Sequence, residues 1–452
     1  MGNHCVYSRA HTKSGPGLRA MPMQLSIRSA IHLEAAPHQA VYASPTYAGH
    51  EPDRLVETIR LEAYHGTTSY LPPHRGPTYY TPAIYRRFSD DNGATWCDEP
   101  PLYTSQPDEI LDRVIYPALF LDPDLSRLIS IESEYMIDRR QDQWAGTTAA
   151  STLRPFYRVS CDGGRSWGPR LQIVHHGTGF DETRWMPGIV HGQNGGLAGI
   201  PFVKLEDGTI LCALISEPID ADGKLHRPSG GFNFQVAFLR GRWTADPFAV
   251  EWESGDYLRV PAAVSAIGCC EPDLLHLGGT RVFCTMRCQG SSAGLPSSRY
   301  CALSEDGGRT WSSPRRFTYD DGQPVWVPAA FAEFIRSPTT GRAYWFGNIL
   351  DHPVTGQLPR YPLALAEFDE NRLCLVRDSV TIIQDLPSGA PACEREDGPF
   401  TSENQCGRRY TNWGSYIDRR TGEIVMTLPE QPKTSWDDFT SDCIEIRIRD
   451  DP

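Results

Sequence analysis

Three copies of one eight-residue motif set the strongest constraint on how this chain can fold. Ser89-Asp90-Asp91-Asn92-Gly93-Ala94-Thr95-Trp96 is the first, Ser160-Cys161-Asp162-Gly163-Gly164-Arg165-Ser166-Trp167 the second, and Ser304-Glu305-Asp306-Gly307-Gly308-Arg309-Thr310-Trp311 the third. All read Ser-x-Asp-x-Gly-x-(Ser/Thr)-Trp. Their serines lie 71 and then 144 residues apart, one period and about two. A unit recurring at a fixed period signals a repeat architecture. The composition of the motif explains its form. Asp bonds nearby backbone N–H groups, Gly accepts positive φ, and Ser and Thr hydroxyls bond locally. Trp buries a large apolar area beside the turn. Short runs rich in aromatic and β-branched residues, such as Ile84-Tyr85-Arg86-Arg87-Phe88 and Phe156-Tyr157-Arg158-Val159, lead into the turns as strands.

Helical periodicity is nearly absent, and six blade-like units are expected over residues 55–100, 110–172, 195–248, 265–318, 325–378 and 405–450. In the third unit Arg240-Gly241-Arg242-Trp243 reads as a decayed copy of the motif that keeps its Trp. Residues 24–48 are expected to add an outer strand to the last unit, a closure that removes open sheet edges. The fold class is therefore all-β, a six-bladed β-propeller of four-stranded antiparallel blades, with seven blades as the alternative count. Residues 1–23 form an expected disordered tail before a single domain over 24–452.

The motif resembles the Asp box, or bacterial neuraminidase repeat, of the sialidase superfamily. That resemblance implies a propeller whose boxes sit between the third and fourth strands of a blade, on the rim away from the active site. It also implies where the chemistry lies. Glu271, in Cys270-Glu271-Pro272-Asp273, and Arg287, in Cys284-Thr285-Met286-Arg287, match in order and approximate spacing a Glu and an Arg of the family just upstream of a box. There the Glu is the base for a tyrosine nucleophile and the Arg clamps the substrate carboxylate. Guanidinium suits that role because its planar fork bonds a carboxylate twice. Arg360, in Pro359-Arg360-Tyr361-Pro362, is the candidate for the next carboxylate-binding arginine.

The chain departs from the family in its first and last units. No Arg-Ile-Pro appears, and Arg60 is the substitute offered. No Asp lies between Leu61 and Phe88, where the family carries its acid, but His65 and His74 do, and imidazole moves protons near neutral pH. At the place of the nucleophile stands Trp413, with Tyr410 and Tyr416 close by but out of register. His191 and Asn194, in a Gly-rich loop, are further candidate sugar contacts.

These residues point to an exo-acting glycoside hydrolase that takes a terminal acidic sugar of an oligosaccharide or glycoconjugate. One alternative is a lyase that cleaves uronic-acid chains by β-elimination with His or Tyr. Another is a sugar-binding propeller without turnover. A formal charge of −13 and the lack of a basic stripe argue against a nucleic-acid partner. No apolar run approaches the roughly 18 residues of a membrane span. Thirteen scattered cysteines, an odd number without a Cys-x-x-Cys pair, and the lack of a secretory leader point to the cytoplasm. No cofactor or metal site is expected, and the sequence leaves the oligomeric state open.

Overall fold

A computed structural model describes residues 24–37, 39–65, 79–104, 111–138, 147–290, 294–386, 409–431 and 440–451. Nearly all of the regular structure is β. The helical elements among the described residues are a six-residue helix at Thr147–Thr152 and a single 3₁₀ turn at Arg377–Ser379.

Six antiparallel sheets follow one another along the chain. Blade 1 starts at Gln39–Tyr47, blade 2 at Leu111–Asp122, blade 3 at Gly196–Lys204 and blade 4 at Cys270–His276. Blade 5 starts at Glu333–Arg336, and blade 6 at Arg409–Tyr410 and Gly414–Ile417. These first strands touch their neighbours around the ring and frame its axis. Blade 6 takes its outermost strand from the other end of the chain. Gln24–Leu33 pairs antiparallel with Cys443–Asp451, from Leu25 opposite Asp450 to Ile31 opposite Ile444. The expected closing segment 24–48 is thus divided. Residues 24–33 close the ring, whereas Gln39–Tyr47 opens blade 1, earlier than the 55 expected.

Each blade is covered on both faces by its neighbours, so its strands read as continuous apolar runs rather than alternating ones. Val282–Cys288 is buried at every position. The core accordingly divides into six clusters, one per interface between blades. Ile129, Tyr157, Leu214 and Trp252 pack between blades 2 and 3, and Ile335, Phe346, Met426 and Ile446 between blades 5 and 6. The two interfaces of blade 1 are thinner. Between blades 1 and 2 the buried set is Ala48, Val56, Phe88 and Leu128.

The three boxes sit between third and fourth strands and share one hydrogen-bond scheme. In each, the Ser hydroxyl donates to the Asp and accepts from a Gly N–H: Ser304 Oγ reaches Asp306 at 2.9 Å and Gly308 N at 2.8 Å. Asp306 also accepts the backbone N–H and the hydroxyl of Thr310, at 2.9 and 2.7 Å. The third blade corrects the sequence reading. Arg240–Trp243 is the end of the strand Gln235–Trp243 rather than a box, and Trp243 Nε1 donates to Asp122 of blade 2. The turn itself starts at Thr244, whose hydroxyl accepts the Asp246 N–H at 3.1 Å. That strand is longer than the pattern suggested, so the Trp lies inside it.

Candidate active site

In a four-stranded antiparallel blade, the start of strand one and the end of strand two lie at the end opposite the strand three to four turn. The boxes therefore mark one end of the propeller, and Glu271, Arg287, Arg360 and Tyr410 lie at the other.

Glu271 sits at a break in pairing. Cys270 faces Arg287 and Asp273 faces Thr285, with a register shift between them. At this bulge Glu271 has φ of +39°, a conformation that a residue with a Cβ holds only when its surroundings enforce it. The bulge re-aims the side chain, which stays 34 % exposed and accepts from Arg287 Nη1 at 2.7 Å. Burial pushes its carboxyl up, but the Arg287 guanidinium, with Arg360 and Arg299 beyond it, holds it below its ordinary value and ionised. Its second oxygen, Oε2, has no hydrogen-bond partner among the described residues.

Arg360 reaches this place from the loop between strands two and three of blade 5. Its guanidinium donates to the Gln357 carbonyl at 3.2 Å, to Gln357 Oε1 at 2.9 Å and to Thr411 Oγ1 at 3.4 Å. Arg299, which the sequence reading missed, stands behind Glu271. It is 1 % exposed and donates to the Glu271 carbonyl, to Thr285 Oγ1 and to the Ala330 carbonyl. One arginine thus bonds this carboxylate, and two more act on it through their charge.

Two further carboxyls nearby were not foreseen. Glu333, first residue of the first strand of blade 5, accepts from Trp413 Nε1 and Ser415 Oγ of blade 6, both at 2.7 Å. Both partners are neutral, and burial pushes its carboxyl up to about 7. Asp273, buried two residues after Glu271, is pushed well above its ordinary value by burial.

The other candidates lie apart from this group. Tyr410 has 0 % of its surface exposed, packs among Tyr344, Phe346 and Trp413, and donates its hydroxyl to the Asp385 carbonyl at 3.1 Å. Its backbone meets the cluster through a 2.9 Å bond from its N–H to the Arg360 carbonyl. Tyr416 lies toward the box end, against Tyr47, with burial raising its phenol pKa. Arg60 pairs with Glu62 at 3.0 Å and lies over the rings of Tyr42 and Tyr116 in blades 1 and 2. His191 neighbours Arg154 and Glu134, and burial lowers its pKa so that it is neutral at pH 7. Asn194 is wholly buried and spends its amide on the backbone, accepting from Val190 N and donating to the Gly188 and Glu217 carbonyls. The His65 side chain and all of His74 lie outside the described residues.

No group of three His, Cys, Asp or Glu side chains that could hold a metal ion occurs among the described residues. No helix among them is long and apolar enough to cross a membrane.

Residues 83–371 match the BNR repeat-like domain. No curated protein sequence matches the chain. Among solved structures, a protein of unknown function from Dyadobacter fermentans is 14 % identical, with a TM-score of 0.58 over 94 % of this chain and 99 % of that one. A mutant of the NanB sialidase from Streptococcus pneumoniae is 11 % identical, with a TM-score of 0.54 over 90 % and 68 %. A mutant of the Trypanosoma rangeli sialidase displaying trans-sialidase activity is 12 % identical, with a TM-score of 0.50 over 93 % and 58 %. At these identities the likeness is one of fold.

Proposed function

The chain belongs to the BNR repeat-like domain family, and from that premise we propose that the mouth of its channel binds a terminal acidic sugar and hydrolyses its glycosidic bond. The observation that carries this reading is the grouping of Arg287, Arg360 and Arg299 around Glu271 at the end opposite the boxes. Arg287 and Arg360 are the carboxylate clamp of this reading. Arg287 already bonds one carboxylate, Arg360 acts on the same group through its charge, and both guanidinium groups suit a second carboxylate carried by the sugar. Glu271, ionised and with Oε2 open to a donor, is the basic group.

The burial of Tyr410 favours a second reading, in which the same clamp binds an acidic sugar without turnover, because a phenol committed to the Asp385 carbonyl is out of reach of an anomeric carbon. One pair of measurements separates the two. Wild type and Arg287→Ala are assayed on fluorogenic α-sialosides and on glucuronides, and the same proteins are titrated calorimetrically with the free sugars. Turnover abolished by Arg287→Ala supports the hydrolase. Binding without turnover supports the second reading, and neither binding nor turnover on any acidic sugar overturns both.

A further inference from the structure

We propose that the cleft between blades 1 and 2 is a second, separate site that binds an oxyanion carried on a small sugar. The cleft has a volume of about 300 Å³, at the lower end of the range of ligand pockets. It opens between the third strands of these two blades, whereas Glu271 belongs to blade 4 across the ring. Arg86, Arg113, Arg158 and Arg170 line it, against Glu99 and Glu132. Cations therefore outnumber anions in a protein whose net charge is −13.

The arrangement is poorly explained as packing. This interface has one of the thinnest apolar cores of the propeller, and arginines take the place that apolar side chains fill elsewhere. Arg86 is 2 % exposed, lies under the Trp167 ring at 4.5 Å and donates one bond to Ser130 Oγ at 2.6 Å. Its Nε, and that of Arg158, find no hydrogen-bond acceptor among the described residues. Glu132 is occupied by Arg170 at 2.9 Å and stands 3.6 Å from Arg158. Glu134 beside the cleft pairs with Arg170 at 2.7 Å and with Arg113 at 3.6 Å, which leaves Arg86 and Arg158 as the guanidinium groups with an unmet donor. A buried guanidinium without its full set of acceptors is costly, and burial lowers the Arg86 pKa to about 10. An arriving carboxylate or sulfate would supply the missing charge, with fork-like bonding to Arg158 at the half-buried rim. The half-buried Trp167 offers a ring beside it, and aromatic rings suit the apolar face of a sugar.

The test disables the channel first, so that its outcome does not depend on the proposed hydrolase reading. Arg287→Gln protein is titrated calorimetrically with inorganic sulfate and with methyl β-glucuronide. The expected result is saturable binding near one equivalent, weakened about tenfold or more when Arg158→Gln is added. Arg113→Gln, a substitution at a half-exposed position of the same cleft, weakens it as well. Competition by sulfate with the glucuronide identifies the oxyanion as the shared determinant, and tighter binding of the glucuronide shows that the ring is read too. Absence of saturable binding of both probes to Arg287→Gln, or binding that neither Arg158→Gln nor Arg113→Gln weakens, overturns the proposal. Unchanged melting transitions in both variants establish that lost binding reflects the site rather than the fold.

Discussion

Arg287 holds Glu271 by a 2.7 Å bond across a bulge that gives Glu271 a positive φ. The pair couples a strained backbone to a charge, and its titration makes it testable. Because the folded carboxyl lies below its ordinary 4.5, it contributes stability that is present above that value and is lost as the pH falls through the folded value. In Arg287→Gln burial is opposed only by Arg360 and Arg299, so the carboxyl titrates upward and this contribution shrinks. Urea midpoints at pH 3 and pH 6 are expected to differ less in the variant than in the wild type. An unchanged difference would remove Glu271 from the field of Arg287.

The boxes act beyond their own turns. Each fastens its blade to the preceding one. Arg54 of blade 1 donates to the Gly163 carbonyl at 3.1 Å, Arg240 of blade 3 donates to the Gly307 carbonyl, and Asn92 bonds Asp418 of blade 6 at 3.2 Å. Arg240→Met fills the volume but leaves the Gly307 carbonyl without its donor, at an expected cost of about 1–3 kcal/mol. Arg242→Met, two residues on, removes a largely exposed pair with Asp207 and is expected to cost less than about 1 kcal/mol. Chemical denaturation of both variants checks the contrast, and equal costs would mean that the boxes fasten nothing.

How much of this was legible follows from the range of each interaction. The box folds through bonds spanning four residues or fewer, so eight residues declare it and the repeat architecture with it, while the count stays open between six blades and seven. Glu271 and Arg287 are neighbours across a single hairpin, and it is the resemblance in order and approximate spacing that singles them out. Glu333 was not, because its partners Trp413 and Ser415 stand 80 and 82 residues away and meet it only when blades 5 and 6 pack. Tyr410 and Trp413 show the remaining limit. A short first strand buried on both faces does not declare which side chains face the channel, and here both turn into the core between blades.

Glu333 gives the stability a pH slope of opposite sign to that of Glu271. Its folded carboxyl is pushed up to about 7 from an ordinary 4.5. The native state therefore binds the proton more tightly than the unfolded one, and this stabilisation is complete below 4.5 and lost as the pH rises through 7. At about 1.4 kcal/mol per pH unit the loss is on the order of 3 kcal/mol. Glu333→Gln keeps an acceptor for Trp413 and turns the Ser415 bond round, its amide donating to a hydroxyl that can also accept, but it cannot ionise. Its stability between pH 5 and pH 8 is expected to be nearly flat where the wild type declines. A parallel decline in both proteins would assign the slope to another group.

Tyr410 separates burial from chemistry. Its phenol is enclosed in the core between blades 5 and 6 and donates to the Asp385 carbonyl at 3.1 Å. Tyr410→Phe keeps the ring and leaves that carbonyl without its donor, at an expected cost of about 1–2 kcal/mol in chemical denaturation. A covalent nucleophile behaves otherwise: its loss removes the intermediate and abolishes turnover however small the structural change. On an acidic glycoside that the wild type turns over, Tyr410→Phe is expected to retain most of kcat, while Arg287→Ala loses binding. A variant that is as stable as the wild type yet inactive would put the phenol in the reaction and require the core around it to open for substrate.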